Sequence, residues 1–157
     1  MRRSERKDQD PDLGMLTSRL LLAVQEEMFA TLAEQGHPDL RPLHGAVLAY
    51  LDADGSRATD LARRSGQHKQ VVGKVLDELE ALGYIERHPD PADRRAKLVV
   101  PTPRGLDQMT RSDAIMAAIE GRHAEAVGEG AYTQFKEQLR QITGRQRTWR
   151  DTPTHVD

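Results

Sequence analysis

The feature that most constrains this chain is the succession of elements between Gln67 and Val100. An amphipathic run, Gln67 to Leu82, is closed by Gly83, and a short run with strand character, Tyr84-Ile85-Glu86-Arg87-His88, follows it. A tight Pro/Asp turn, Asp90-Pro91-Ala92-Asp93, then carries the pair Arg94-Arg95 into a second strand-like run, Lys97 to Val100. Helix, strand, basic turn and strand in this order are the layout of a winged helix. In such a unit the helix can enter the major groove of DNA, and the basic hairpin can reach an adjacent minor groove.

The flanking sequence extends this reading. Asp10-Pro11 has the form of an N-cap followed by proline at the first helical position. Leu13, Leu16, Leu20, Val24, Met28 and Leu32 recur at helical spacing up to Gly36, predicting a first helix over 11–35. A second helix is expected from Pro42 to Asp52, with Leu43, Val47, Leu48 and Leu51 inward. Ser56-Arg57-Ala58 reads as a short strand able to pair with the hairpin. Thr59 is the expected cap of a brief third helix, Asp60 to Arg64, ended by Ser65-Gly66. The fourth helix turns Val72, Val75, Leu76, Leu79 and Leu82 inward. Two short helices joined at Ser65-Gly66 make a helix-turn-helix. Thr102-Pro103 starts a long fifth helix carrying Leu106, Met109, Ile115 or Met116, and Ile119, with Gly121 inside it. A sixth helix over 129–147 presents Tyr132, Phe135, Leu139 and Ile142. The fold class expected is mainly α with a small β-wing: a winged helix-turn-helix core flanked by N- and C-terminal dimerisation helices.

Charge is placed unevenly along the chain. The formal total is −2, yet the span from Arg57 to Gly105 holds ten Lys/Arg against seven Asp/Glu. Phosphate attraction depends on local charge, because salt screens the field within roughly 8–10 Å. The apolar fraction, 37%, is low for a monomer of this size and suits a core completed by dimerisation. No run approaches the roughly 18 apolar residues of a membrane span, and the charged start, Met1 to Gln9, has no apolar signal core. With no cysteine in the sequence, disulfides, thiolate zinc sites and thiol redox sensing are excluded. A cytoplasmic protein is the simplest reading.

Three stretches together resemble the MarR family of bacterial transcriptional regulators. They are Thr59-Asp60-Leu61-Ala62-Arg63-Arg64-Ser65-Gly66, the junction Leu79-Glu80-Ala81-Leu82-Gly83-Tyr84-Ile85-Glu86-Arg87, and the wing from Asp90 to Leu98. Thr102-Pro103-Arg104-Gly105 matches that family's Thr-x-x-Gly start of the fifth helix, and Leu40 to Val47 is similar to its second helix in one branch. Pro101 departs from the leucine more usual there. The resemblance implies a single domain over 1–157: dimerisation helices at 11–36 and 103–147, a DNA-binding lobe at 40–102, and flexible ends at 1–10 and 148–157. It also implies a homodimer, paired through the first, fifth and sixth helices, that is usually a repressor and is often released from DNA by a small aromatic or phenolic ligand.

Removing the core stripe from the fourth helix leaves His68, Lys69, Gln70, Val71, Gly73 and Lys74 toward its N-terminal end, the end that helix-turn-helix proteins insert. Gln70 can pair bidentately with adenine and Val71 can pack on a thymine methyl. Lys69 suits a base edge and Lys74 a phosphate, while Gly73 either allows close backbone approach or relieves packing. Asp77 and Glu78 should end the inserted face. In the wing, Asp93 and Arg95 match the family's Asp-x-Arg pattern, with Asp93 expected to brace the hairpin by an ion pair. Arg95, with Arg94 as second choice, suits a narrow A·T minor groove. Thr59 and Lys97 are candidate phosphate contacts; Arg63 and Arg64 either join them or only solubilise a short helix.

Six histidines, His37, His44, His68, His88, His123 and His155, show no metal-ligand spacing, so no metal site is expected. His37 and His44 lie near the join of the flanking helix and the lobe; packing or capping is their first reading and ligand contact their second. No cofactor and no catalytic grouping is expected. A winged helix that docks a protein instead of DNA would need an apolar or acidic outer face on the fourth helix, and Lys69, Gln70 and Lys74 argue against it.

Overall fold

The structure is a computed structural model that describes residues 1–149. Of the tail expected to be flexible from Thr148, residues 150–157, with Pro153 and His155, lie outside the described residues. Elements run in the order α1 (Arg3–Gln9), α2 (Leu13–Glu34), α3 (Pro42–Leu48), β1 (Ser56–Arg57), α4 (Ala58–Ser65), α5 (Lys69–Ala81), β2 (Ile85–Pro89), β3 (Lys97–Pro101), α6 (Pro103–Val127) and α7 (Glu129–Arg147). Contacts divide the chain into two compact units, Met1–Ile115 and the residues from Met116 onward.

In the first unit, α2 starts two residues later than Asp10 suggests. The Asp12 side chain, not Asp10, accepts the Met15 N–H at 3.0 Å and caps the helix. Residues 1–10, read from sequence as flexible, hold α1. The C-terminus of α2 closes as expected at Gly36, whose φ of +101° is a left-handed value natural to glycine. Gly36 N–H donates to Ala33 O and His37 N–H to Leu32 O, the paired bonds of a Schellman motif. The same motif ends α5: Gly83, φ +81°, donates to Glu80 O, and Tyr84 N–H donates to Leu79 O.

The core of this unit forms where α3, α4 and α5 meet. Leu32, Val47, Leu61, Val72, Val75, Leu79, Tyr84, Ile85 and Val99 are almost wholly buried, each apolar side chain stabilising by roughly 1.5–3 kcal/mol. Leu82 is only half-buried. Helix α3 ends at Leu48, not Asp52, and its first turn faces inward one residue later than expected. His44 is buried, whereas Leu43 is 45% exposed. Helix α4 starts at Ala58 with Arg57 at the cap position, so Thr59 lies inside the first turn and does not cap it. The three strands pair in the order β1-β3-β2, all antiparallel. Arg57 faces Leu98 across one edge, and Ile85 pairs with Pro101 across the other.

Helix α6 begins as the Thr102-Pro103 signal predicts. Thr102 Oγ1 accepts the Gly105 N–H and donates to Gly83 O, while Thr102 N–H donates to Tyr84 O at 3.0 Å. The first turn of α6 is thereby fastened to the corner between α5 and β2. Ile115 and Ile119 are buried and Met116 is exposed, and Gly121 lies within α6 without interrupting it. In the second unit, the Tyr132 hydroxyl donates to Glu120, which also pairs with Lys136. Phe135, Leu139 and Ile142 on α7 are exposed, as are Leu13, Leu16, Leu20, Leu21 and Leu22 on α2. No helix among the described residues is long and apolar enough to cross a membrane.

A side chain at position 105 has nowhere to go: its Cβ would stand 2.2 Å from Tyr84 O and 3.1 Å from Pro101 Cβ. Gly105→Ala is expected to destabilise the protein by on the order of 3 kcal/mol, read from the urea midpoint at unchanged slope. Conversely, a midpoint within experimental scatter of the wild type would show that α6 does not need this approach.

Candidate nucleic-acid interface

Burial of Val72, Val75, Leu76 and Leu79 fixes which face of α5 is free. With that stripe inward, Lys69, Gln70 and Lys74 are exposed, and Val71 and Gly73 are half-buried. His68 does not belong to the helix. It is the N-cap, and its ring Nδ1 accepts the Gln70 N–H at 3.3 Å. A Cβ built at Gly73 meets no atom within 4 Å, so relief of packing inside the chain does not explain that glycine.

The acids that end this face are occupied. Asp77 pairs with Arg87 of β2. Glu78 accepts from His44 Nε2 at 2.8 Å and from Arg41 Nη2 at 3.2 Å. Its carboxyl is held below the usual range, first by the His44 hydrogen bond and then by the nearby Arg41 charge. His44 Nδ1 accepts the Arg41 N–H at 3.0 Å, so the proton on Nε2 points to Glu78. His37 is 3% exposed; its Nε2 lies 2.8 Å from Asp107 and its Nδ1 2.9 Å from the Tyr84 hydroxyl. Both buried rings thus hold hydrogen bonds to neighbouring elements of the same unit.

The wing is braced differently from the expectation at Asp93. Asp93 makes no ion pair among the described residues; its Oδ1 accepts the Arg95 N–H at 3.1 Å. The ion pair belongs to Asp90, which is 7% exposed and takes Arg57 Nε at 2.7 Å. Asp90 Oδ1 also accepts the Ala92 N–H at 2.8 Å, and Asp90 N–H donates to Ala96 O at 2.9 Å. The signal that was missed is the acid three residues earlier in the same turn, whose cation lies 33 positions away. The result is a seven-residue tip, 90–96, folded on itself, with Arg94 and Arg95 exposed upon it.

The remaining cations divide by partner. Lys69, Arg94, Arg95 and Lys97 have exposed side chains with no hydrogen-bond or ion-pair partner among the described residues. Arg63 pairs with Asp60 one turn away, and Arg64 ties Tyr50 O and Asp52 to α4. These last two line a polar cleft of about 320 Å³ beside Arg57 and Asp90. Thr59 is exposed on the first turn of α4. No cluster of three or more His, Cys, Asp or Glu among the described residues could hold a metal ion.

A helix-turn-helix of α4 and α5, completed by the β2–β3 wing, defines a winged helix-turn-helix protein. The MarR family model matches residues 39–96, a span that runs from before α3 through the tip of the wing and stops short of β3. CouR from Rhodococcus jostii RHA1, in complex with p-coumaroyl-CoA, is similar over 94% of this chain and 96% of its own, at 28% identity and TM-score 0.69. CouR bound to a 23-mer DNA duplex is similar over 91% and 98%, at 27% identity and TM-score 0.72. A MarR-family transcriptional regulator from Rhodococcus sp. RHA1 is similar over 83% and 91%, at 28% identity and TM-score 0.67. No curated protein matches the chain. The chain is thus similar to MarR-family transcriptional regulators, in its lobe by the family model and over most of its length by these solved structures.

Asp90 is held below its ordinary value of 3.8, first by the Ala92 N–H and then by Arg57. A depressed carboxyl contributes stability above its unfolded pKa and loses it as pH falls through the folded one. Asp90→Asn should therefore be less stable than wild type at neutral pH, with the gap closing in acid below 3.8. Urea titrations across that range measure it. A gap independent of pH would assign the loss to the amide's geometry instead of its charge.

Proposed function

We propose that the chain is a sequence-specific regulator of transcription that binds double-stranded DNA as a homodimer on a palindromic operator and acts as a ligand-responsive repressor in the cytoplasm. The observation that carries this reading is the division of charge around α5 and the wing. Lys69, Arg94, Arg95 and Lys97 are unpartnered among the described residues, while Asp77, Glu78 and Asp90 are held by cations or a histidine of the chain itself. A face prepared in this way offers cations to phosphates with Asp77, Glu78 and Asp90 already engaged within the chain. It is not the apolar or acidic face that a protein-docking winged helix would need, and the reading is that of a transcription factor, not an enzyme.

The roles follow from reach and chemistry. Gln70 pairs with adenine, Val71 packs on a thymine methyl and Lys69 reaches a base edge. Gly73, with open space beside it, admits close approach of the DNA. Lys74, Lys97 and Thr59 take phosphates, and Arg95, with Arg94 beside it, enters the minor groove. His68, as the cap, fixes where the inserted turn begins. The exposed leucines of α2 and the exposed apolar residues of α7 each offer apolar area for pairing of two copies, with residues 11–36 and 103–147 as the dimerisation helices and 40–102 as the lobe. A small aromatic or phenolic effector is expected. The likeness to CouR, whose bound ligand is p-coumaroyl-CoA, adds aromatic acyl thioesters to that class.

Footprinting upstream of the chain's own gene tests the reading. Wild type should protect a near-palindrome with half-sites about one helical turn apart, and Arg95→Ala should lose the footprint. Gln70→Ala should alter base preference at one position and cost about 1–3 kcal/mol, whereas Lys74→Ala should weaken all sequences alike. Equal losses by both variants on specific and random DNA would overturn the division of roles. Leu20→Glu should shift the sedimenting species from dimer to monomer; an unchanged dimer would move the pairing surface elsewhere.

A further inference from the structure

Three helix ends of the first unit converge on one buried polar group. His37 and Tyr84 each follow the closing glycine of a Schellman motif, His37 at the end of α2 and Tyr84 at the end of α5. Their side chains meet: His37 Nδ1 lies 2.9 Å from the Tyr84 hydroxyl, with the tyrosine wholly buried and the histidine 3% exposed. The start of α6 supplies the other two partners. Asp107 faces His37 Nε2 at 2.8 Å, and Arg104 donates to the Tyr84 hydroxyl at 3.1 Å with its guanidinium 4.5 Å from the ring centre. Asp107 is acceptor-only and held below the usual carboxylate range, first by Arg111 and then by His37. The His37 proton therefore sits on Nε2, and Nδ1 accepts from the tyrosine hydroxyl.

We propose that His37 is a positioning residue for DNA recognition: acting through the Tyr84 hydroxyl, it fixes the angle of α5 against α2 and α6. The proposal rests on the DNA-binding reading of α5 given above. Apolar packing restrains a helix but tolerates small rotations, whereas a buried hydrogen bond is directional and costly to leave unmade. The residues offered to bases stand at the opposite end of α5. With twelve residue steps of about 1.5 Å between Lys69 and Ala81, a rotation of about 5° at the C-terminal end moves the inserted turn by roughly 1.5 Å. Displacements of that size suffice to break base contacts, and phosphate contacts through long flexible lysines tolerate them. The other polar anchors of α5, Asp77 to Arg87 and Glu78 to His44, also lie in its C-terminal half.

The test uses the duplex that wild-type protein enriches from a random double-stranded pool, and a scrambled duplex of equal length. Tyr84→Phe removes only the hydroxyl; His37→Leu removes both ring nitrogens. His37→Gln keeps a donor for Asp107 and an acceptor for Tyr84. At a temperature where circular dichroism shows each variant folded, Tyr84→Phe and His37→Leu should weaken the selected duplex by about tenfold and the scrambled one by less than about threefold. His37→Gln should recover most of the difference. Folded Tyr84→Phe binding the selected duplex like wild type would overturn the proposal even if His37→Leu does not fold, as would equal losses on both duplexes. Failure of wild type to enrich any duplex would instead refute the DNA-binding reading itself, and the proposal with it.

Discussion

Everything in the lobe is referred to Tyr84. Its N–H closes α5, its carbonyl accepts the start of α6, its ring fills the core and its hydroxyl reaches the end of α2. The missing Cβ of Gly105 lets the first turn of α6 approach that carbonyl. A single residue so bound from the backbone and the side chain makes the relative placement of three helices one constraint, not three. That is what a DNA reader requires, because the base contacts must be held by elements that do not shift independently.

The electrostatics solve a second problem. A chain of net charge −2 must meet a polyanion, and it does so by local arrangement. The carboxylates nearest the candidate face are engaged internally, by Arg87, by His44 with Arg41, and by Arg57. Their engagement both holds the fold and withdraws negative charge from the surface that the DNA would see. The wing uses the same economy in its backbone. Asp90 and Asp93 accept N–H groups within the turn, so the tip that carries Arg94 and Arg95 is held by its own acids.

Periodicity and capping made most of the helices, the wing and the outward face of α5 legible in the sequence. Gly36, Gly83 and Thr102-Pro103 announced their boundaries because their effects are local. What remained hidden was set by partners far along the chain. Nothing near Asp90 marks it as the partner of Arg57, so Asp93, which fits the family's Asp-x-Arg pattern, drew the bracing role. His68 was read as part of the inserted face because histidine is a rare cap. The inward turn of His44 in place of Leu43 depends on Glu78, 34 residues later. Thr59 has the chemistry of a cap but sits two positions past it, since pairing of Ser56 and Arg57 with β3 sets where α4 begins.

Gly73 separates what α5 rests on from what it presents. Its neighbours Val72 and Val75 are packed at 1% exposure, while the space beside Gly73 itself is empty. A side chain introduced there would not disturb the core, and would raise helix propensity by roughly 1 kcal/mol. The position is therefore a dial that can be turned without reopening the folding problem. New sequence preferences can be sampled at 73 in an otherwise unaltered protein, with selection acting on binding alone.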